Sequence, residues 1–325
     1  MIHLSRPKFR NTKNTGQYRP GTFYRFRKQL PLQLMVLPGI LFIIVFCYIP
    51  MLGNIIAFKD YSITGGILNS PWAGFKYFSQ VFSDEDFYLA MKNTIGMSSV
   101  KFLFTFIIPI FFAAMLNEIP FIRFKKFVQT GSYLPHFLSY VVVATIWMVF
   151  LDPKGLVNSL LMGTGVVKSP VEFLAEPRLF WWIGTFIDCW KETGWNAIIY
   201  IAAIAGISPE QYEAAIVDGA GRLKRIRYIT LPSIKNTVVV LLILNIGDLL
   251  NGGPAGSNFD QSFLLGNVFN RSTSYVIQNY IVNIGLNQMR YSFSTAVSCI
   301  LSVLSLILFV VANYGSKKVA DSSIF

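Results

Sequence analysis

Six long apolar stretches, separated by short polar or basic segments, set the limits on what this chain can fold into. They run over residues 32–58, 93–116, 133–151, 179–207, 236–250 and 292–314. A bilayer core of about 30 Å takes roughly 20 apolar residues as helix, so most of these are long enough to cross one. The stretch at 93–116 is interrupted only by Lys101, and that at 179–207 holds Asp188, Lys191 and Glu192. A membrane barrel would need strands of about 9–11 residues with strict alternation, and that pattern is absent. The expected fold class is therefore all-α, an integral membrane helical bundle with six transmembrane helices.

Composition agrees with this. Hydrophobic residues make up 53% of the 325 and charged residues 14%, against about 25% charged in a typical soluble domain. The spans cover nearly the whole chain, which predicts one membrane domain at 32–314 between a basic tail at 1–31 and a short tail at 315–325. The net charge of +12 falls in blocks. Eight Lys and Arg lie in the N-terminal tail, three at 117–130, five at 208–235 and two in the C-terminal tail, together 18 of 28. These segments alternate with near-neutral or acidic connections, such as the one holding Asp84, Glu85 and Asp86. By the positive-inside rule both termini and the two basic loops face the cytoplasm. Charge placed this way argues for membrane orientation and against a nucleic-acid groove. The N-terminus does not read as a signal peptide, because about thirty polar residues precede a full-length span. Cys47, Cys189 and Cys299 read as free buried thiols, and two histidines, His3 and His136, are too few for a His-rich metal centre. No metal site is expected.

The most informative segment is 206–232, GISPEQYEAAIVDGAGRLKRIRYITLP. Ser208 suits an N-cap, Pro209 the first turn, and Gln211 the reciprocal position of a capping box. A helix through Glu213, Ala214 and Ala215 would end near Gly219 and Gly221. A second, basic helix would follow, with Pro232 opening the fifth span. The pattern predicts a cytoplasmic pair of short helices, and the small alanines would let another surface approach. On these signals alone, a loop lying on lipid headgroups remains equally open.

The spacing adds a resemblance. Glu213-Ala214-Ala215, Gly219, Ile229, Leu231 and Pro232 reproduce the EAA motif of ABC importer permeases at every interval. The stretches YLPHFLSYVVVATIW, WKETGWNAIIYIAAIAGISPEQYEAAIVDGAG, NFDQSFLL and FSTAVSCILSVLSLILFVVANYGSKK further resemble the carbohydrate permeases of the polysaccharide-uptake branch. One departure is the Gly-rich NGGPAGS at 251–257. The resemblance implies a bacterial cytoplasmic (inner) membrane permease subunit, not an enzyme, whose EAA loop couples to a separate ATPase. It implies a second homologous permease, two ATPase subunits that hold ATP and Mg, an extracytoplasmic solute-binding protein, and an oligosaccharide substrate. No cofactor is implied in this chain, which also lacks a G-x-x-x-x-G-K-[ST] phosphate loop. Acidic sugars such as alginate or pectin-type fragments fit that branch. The alternatives are a peptide or glycerol phosphate on the same scaffold, or a secondary transporter or channel of another family.

Candidate residues for the substrate route come from the cost of intramembrane charge. Asp188 and Lys191 lie at i, i+3, where they either pair with each other or line the route with Glu192. Trp190 and Trp195 read as packing or interfacial anchors, or as platforms for sugar rings. Asn245 and Asp248 are further candidates in the fifth span. Lys101 reads as a snorkelling lysine, or as one that, with Lys191, meets an acidic substrate. His136, after Pro135, reads as a packing residue at a kink. The long segment 251–291, expected to be an external loop, offers Asn258, Asp260 and Gln261 as contacts for the binding protein.

Overall fold

The computed structural model describes residues 29–320, with side chains through Ser316. The basic tail at 1–28 and the side chains of Lys317 and Lys318 lie outside the described residues. The chain divides into two compact units at Gly53. In the first, α1 (Leu30–Ile43) starts with Pro at its first turn and continues through a wide π turn at Ile44–Tyr48.

Among the described residues the second unit is built of helices and their connections, with no strand pairing beyond one isolated bridge between Lys59 and Trp72. Its longest element is α2 (Glu85–Asn117). Asp84 caps it by accepting from the amides of Asp86 at 2.9 Å and Phe87 at 3.3 Å, and Glu85 and Asp86 complement the dipole of the first turn. Helices α3 (Ile122–Tyr133) and α4 (Tyr140–Leu151) follow, the latter capped by Ser139. Then comes α5 (Pro177–Ala205), with Pro at its first position and the Glu176 side chain over its amides. The pair of short helices expected from sequence is α6 (Pro209–Val217) and α7 (Arg222–Arg225), and α8 (Lys235–Gly247) leads on from it. After α8 the chain forms α9 (Asn258–Leu265), α10 (Ile277–Val282) and the long α11 (Tyr291–Ala320).

Helix α2 packs along α5, and α8 along α11. Small residues let the first pair approach: a Cβ on Gly96 of α2 would lie 2.3 Å from the Trp181 ring of α5. Three apolar clusters succeed one another along α2. The first holds Phe87 and Ala90 with Ile277, Tyr280 and Phe293; the second Met97 with Ile187 and Leu265; the third Phe106, Ile110 and Ala113 with Ala197, Tyr200 and Ile234.

The all-α membrane class holds. Among the described residues, four helical runs are long and apolar enough to cross a membrane: Leu30–Phe58, Glu85–Asn117, Tyr140–Gly163 and Tyr291–Ser316. Arg222–Ser233 and Lys235–Gly247, bent by 64°, make a fifth when taken together. Helix α5 has 29 residues, hence a length of about 43 Å. Its charged and polar residues keep it from standing out by apolarity. Two expectations change. Segment 251–291 is not an irregular loop: α9 and α10 bury Leu265, Ile277 and Tyr280 in the clusters above. Nor are the cysteines all buried; Cys47 is exposed and Cys189 and Cys299 are half-buried, all three free.

Candidate functional site

The loop between α5 and α8 forms the helix pair read from the sequence. Helix α6 starts at Pro209 after Ser208, although the Ser208 hydroxyl makes no capping bond. Its end is a Schellman turn: Ala220 N donates to Ala215 O at 2.8 Å and Gly219 N to Ile216 O at 3.0 Å. That turn requires a left-handed residue, and Gly219 supplies it at φ +74°. Glu213 and Ala214 are exposed and Ala215 half-buried. Ile216, Val217 and Leu223 stand 56%, 86% and 81% exposed. Together they form an apolar ledge on an otherwise polar loop, and such a patch calls for a partner. Beyond α7 the backbone widens into a π turn at Ile226–Thr230. There Tyr212 and Thr230 share a 2.9 Å hydrogen bond between their hydroxyls. Ile229 and Leu231 are half-buried, Leu231 against the third cluster, while Pro232 is exposed.

The second site is a buried charge network where α2, α5 and α9 meet. Lys101 and Asp188 are both fully buried, with Lys101 Nζ 2.6 Å from Asp188 Oδ2. The ammonium also donates to Ser257 Oγ at 2.6 Å, Asn258 Oδ1 at 3.0 Å and Gln261 Oε1 at 3.3 Å. Asp188 accepts from Tyr140 OH at 2.6 Å, Ser257 Oγ at 2.7 Å and Gln261 Nε2 at 2.6 Å. Gln261 reaches in because Gly184 leaves room: a Cβ there would sit 2.5 Å from its Oε1. The network answers the desolvation cost of both charges with a full set of hydrogen bonds.

A smaller network adjoins it through Tyr140. Lys191 Nζ donates to Glu192 Oε1 at 2.7 Å and to the His136 carbonyl at 2.8 Å, and lies 5.1 Å from the centre of the Tyr140 ring. Glu192 Oε2 meets His136 Nδ1 at 2.6 Å, and the His136 imidazole stacks on Trp195 at 4.1 Å.

These positions correct several sequence readings. Asp188 pairs with Lys101 from another helix, and Lys191 pairs with Glu192, so the i, i+3 pairing does not form. Lys101 does not snorkel, because it finds its counter-charge at its own depth. His136 does more than pack: it holds Glu192 and carries Trp195. Asn258 and Gln261 are buried at 0% and 1%, tied to Lys101 and Asp188, which leaves them no surface to offer an external protein. Asp260 is half-buried on the same helix. Trp190 and Trp195 are about 40% exposed, at 39% and 41%. Asn245 is half-buried, and Asp248 is exposed at the end of α8, accepting from Asn251 Nδ2 at 2.7 Å. Neither joins the networks. Tyr140, Ser98 and Ser257 were not singled out by sequence; Asn258 Nδ2 donates to Ser98 Oγ at 2.6 Å. Their one sequence signal was a lone lysine in one span and a lone aspartate in another. Among the described residues no group of His, Cys, Asp and Glu is placed to hold a metal.

The pattern of the family described as "Binding-protein-dependent transport system inner membrane component" matches residues 105–321. Protein LplB of Bacillus subtilis (strain 168) is 41% identical over 295 residues, covering 90% of this chain and 91% of its own. The polygalacturonan/rhamnogalacturonan transport system permease protein YteP of the same organism is 42% identical over 299 residues, with 92% and 91% covered. Among solved structures, a chain of a bacterial alginate ABC transporter in complex with an alginate pentasaccharide-bound periplasmic protein superposes with a TM-score of 0.83. It is 36% identical and covers 93% of this chain and 99% of that one.

Proposed function

We propose, from the premise that the chain belongs to the family of binding-protein-dependent transport system inner membrane components and is a non-catalytic, multi-pass permease of an ABC transporter, that it carries an acidic oligosaccharide into the cytoplasm. The observation that carries the importer reading is the loop at 208–232. Its apolar ledge is exposed and its bend is fixed by Gly219, which suits a knob that seats in a groove of a cytoplasmic ATPase. Glu213, Ala214, Ala215, Gly219, Ile229, Leu231 and Pro232 then form the coupling element. Two ATPases closing on ATP and Mg would move this loop and its counterpart on a second permease. A binding protein would deliver the sugar outside.

In this reading both termini and the loops at 117–130 and 208–235 are cytoplasmic. Glu85 and Lys224 are both exposed, so cysteine labelling in a Cys-free background checks the orientation. A membrane-impermeant reagent added outside should modify Glu85→Cys and spare Lys224→Cys. Labelling of position 224 alone would invert the topology.

The substrate class is supported by what the relatives carry: polygalacturonan or rhamnogalacturonan for YteP, alginate for the solved transporter. All of these contain uronic acid units. Lys101 and Lys191 do not strengthen the case, since both ammonium groups are buried and already bonded. The route is better sought beside Trp190 and Trp195, which keep 39% and 41% of their surface exposed, although Trp147 packs edge-on against Trp190 and one face of Trp195 is covered by His136. Reconstituted with its partners, the transporter should accumulate oligogalacturonides or alginate oligomers at least about tenfold faster than neutral malto-oligosaccharides. Equal or faster uptake of the neutral sugars would discard the acidic reading.

A further inference from the structure

Glu118 stands where a glutamate is disfavoured. It is the C-cap of the 33-residue helix α2, its backbone N–H bonded back to Leu116 and Met115. The last carbonyls of a helix carry partial negative charge, so an acidic side chain there is repelled unless a cation answers it. Arg225, at the end of α7, answers it: its Nη2 meets Glu118 Oε2 in an ion pair whose side chains are only 16% and 9% exposed. The same guanidinium donates from Nη1 to the carbonyl of Ala220 at 3.4 Å. Ala220 lies in the Schellman turn, immediately after Gly219. One arginine thus joins the bend of the α6–α7 loop to the end of α2.

We propose that Glu118 and Arg225 form a strut that transmits movement of the loop into α2, making both positioning residues for transport. This rests on the reading that α6 docks on an ATPase. The loop has a direct route into α8, through the π turn and the 64° elbow after Ser233. An elbow bent that far passes force poorly along its own axis. Helix α2, by contrast, runs from this pair past Lys101, whose bond to Asp188 ties it to α5 and α9. A push delivered at Glu118 therefore reaches the buried network along a single helical element, with Pro109 the one position between them that lacks a backbone N–H. The apolar contact of Ile234 with the third cluster supports the loop beneath, but it has no directional bond to hold α2 in register. A guanidinium–carboxylate pair has one.

The pair is tested in the reconstituted transporter with its binding protein, measuring assembly, basal ATP hydrolysis, hydrolysis stimulated by sugar-loaded binding protein, and uptake. Glu118→Gln and Arg225→Gln should assemble and keep basal hydrolysis. Each should lose stimulation and uptake by about tenfold. Reversing the charges in Glu118→Arg with Arg225→Glu should recover most of the loss, whereas Glu118→Arg alone, which suits the helix end but faces Arg225, should stay as defective as Glu118→Gln. Full stimulation and uptake in both single variants would overturn the strut. So would single variants that fail, by lost coupling or by poor assembly, with no recovery in the reversed pair. Comparison with Gly219→Trp separates the two readings: if that variant uncouples while the Glu118 and Arg225 variants do not, the strut alone fails. If Gly219→Trp transports normally, the docking reading fails first.

Discussion

Replacing Lys101 with methionine is expected to cost the permease about 3–5 kcal/mol, enough to leave little intact transporter in the membrane. The change keeps the bulk of the side chain and removes only its charge. Asp188 is then left as a fully buried carboxylate. Three donors, from Tyr140, Ser257 and Gln261, still face it, so part of its solvation survives. Asp188→Asn is expected to be milder, because the Lys101 ammonium keeps the oxygens of Ser257, Asn258 and Gln261 as acceptors. Removing both charges, in Lys101→Met with Asp188→Asn, should restore most of the stability lost in Lys101→Met. Exchanging positions 188 and 191 should restore nothing, since these two residues do not bond to each other. Thermal unfolding of the purified complex and its yield from membranes measure all of this. A Lys101→Met complex as stable as the original would mean that the pair does not hold α2 to α5.

The spans were legible in the sequence because lipid imposes a local rule: a run of apolar residues is enough, whatever it packs against. The helix pair at 208–232 was legible for a different local reason. Gly219 must adopt a conformation that other residues resist, and Pro209 and Pro232 fix where helices begin, so the backbone leaves its mark in residue type. The buried network was not legible, because its meaning is tertiary. Asp188 and Lys191 satisfy the i, i+3 rule, yet the partner of Asp188 comes from another helix, and nothing in either span names it. The same reason hid α9 and α10. Their apolar residues come in pieces, Phe263 to Leu265 and then Val276, Ile277 and Tyr280, separated by Gly266, two asparagines and a run of polar residues at 271–274. Each piece is too short to read as a span, and Leu265, Val276, Ile277 and Tyr280 are buried only because α2, α5 and α11 are there to cover them. An external loop was therefore expected where the chain turns back into the fold, and Asn258 and Gln261 were assigned to the wrong neighbour.

The most direct test of the central claim is uptake through Gly219→Trp. A Cβ at this position meets no atom within 4 Å, so the indole has space on the loop surface. The φ of +74° costs a non-glycine residue about 1–2 kcal/mol, which strains the turn without unfolding the spans. The bulk would lie beside the exposed ledge of Ile216 and Val217, where the ATPase is proposed to seat. In proteoliposomes holding the two permeases, the ATPases and Mg-ATP, with sugar-loaded binding protein added on the external face, the unaltered transporter should accumulate sugar only while ATP is supplied. The Gly219→Trp transporter should assemble and hydrolyse ATP at its basal rate, yet accumulate sugar at least about tenfold more slowly. Uptake that continues without ATP, or that is unchanged by Gly219→Trp, would contradict coupling through this loop.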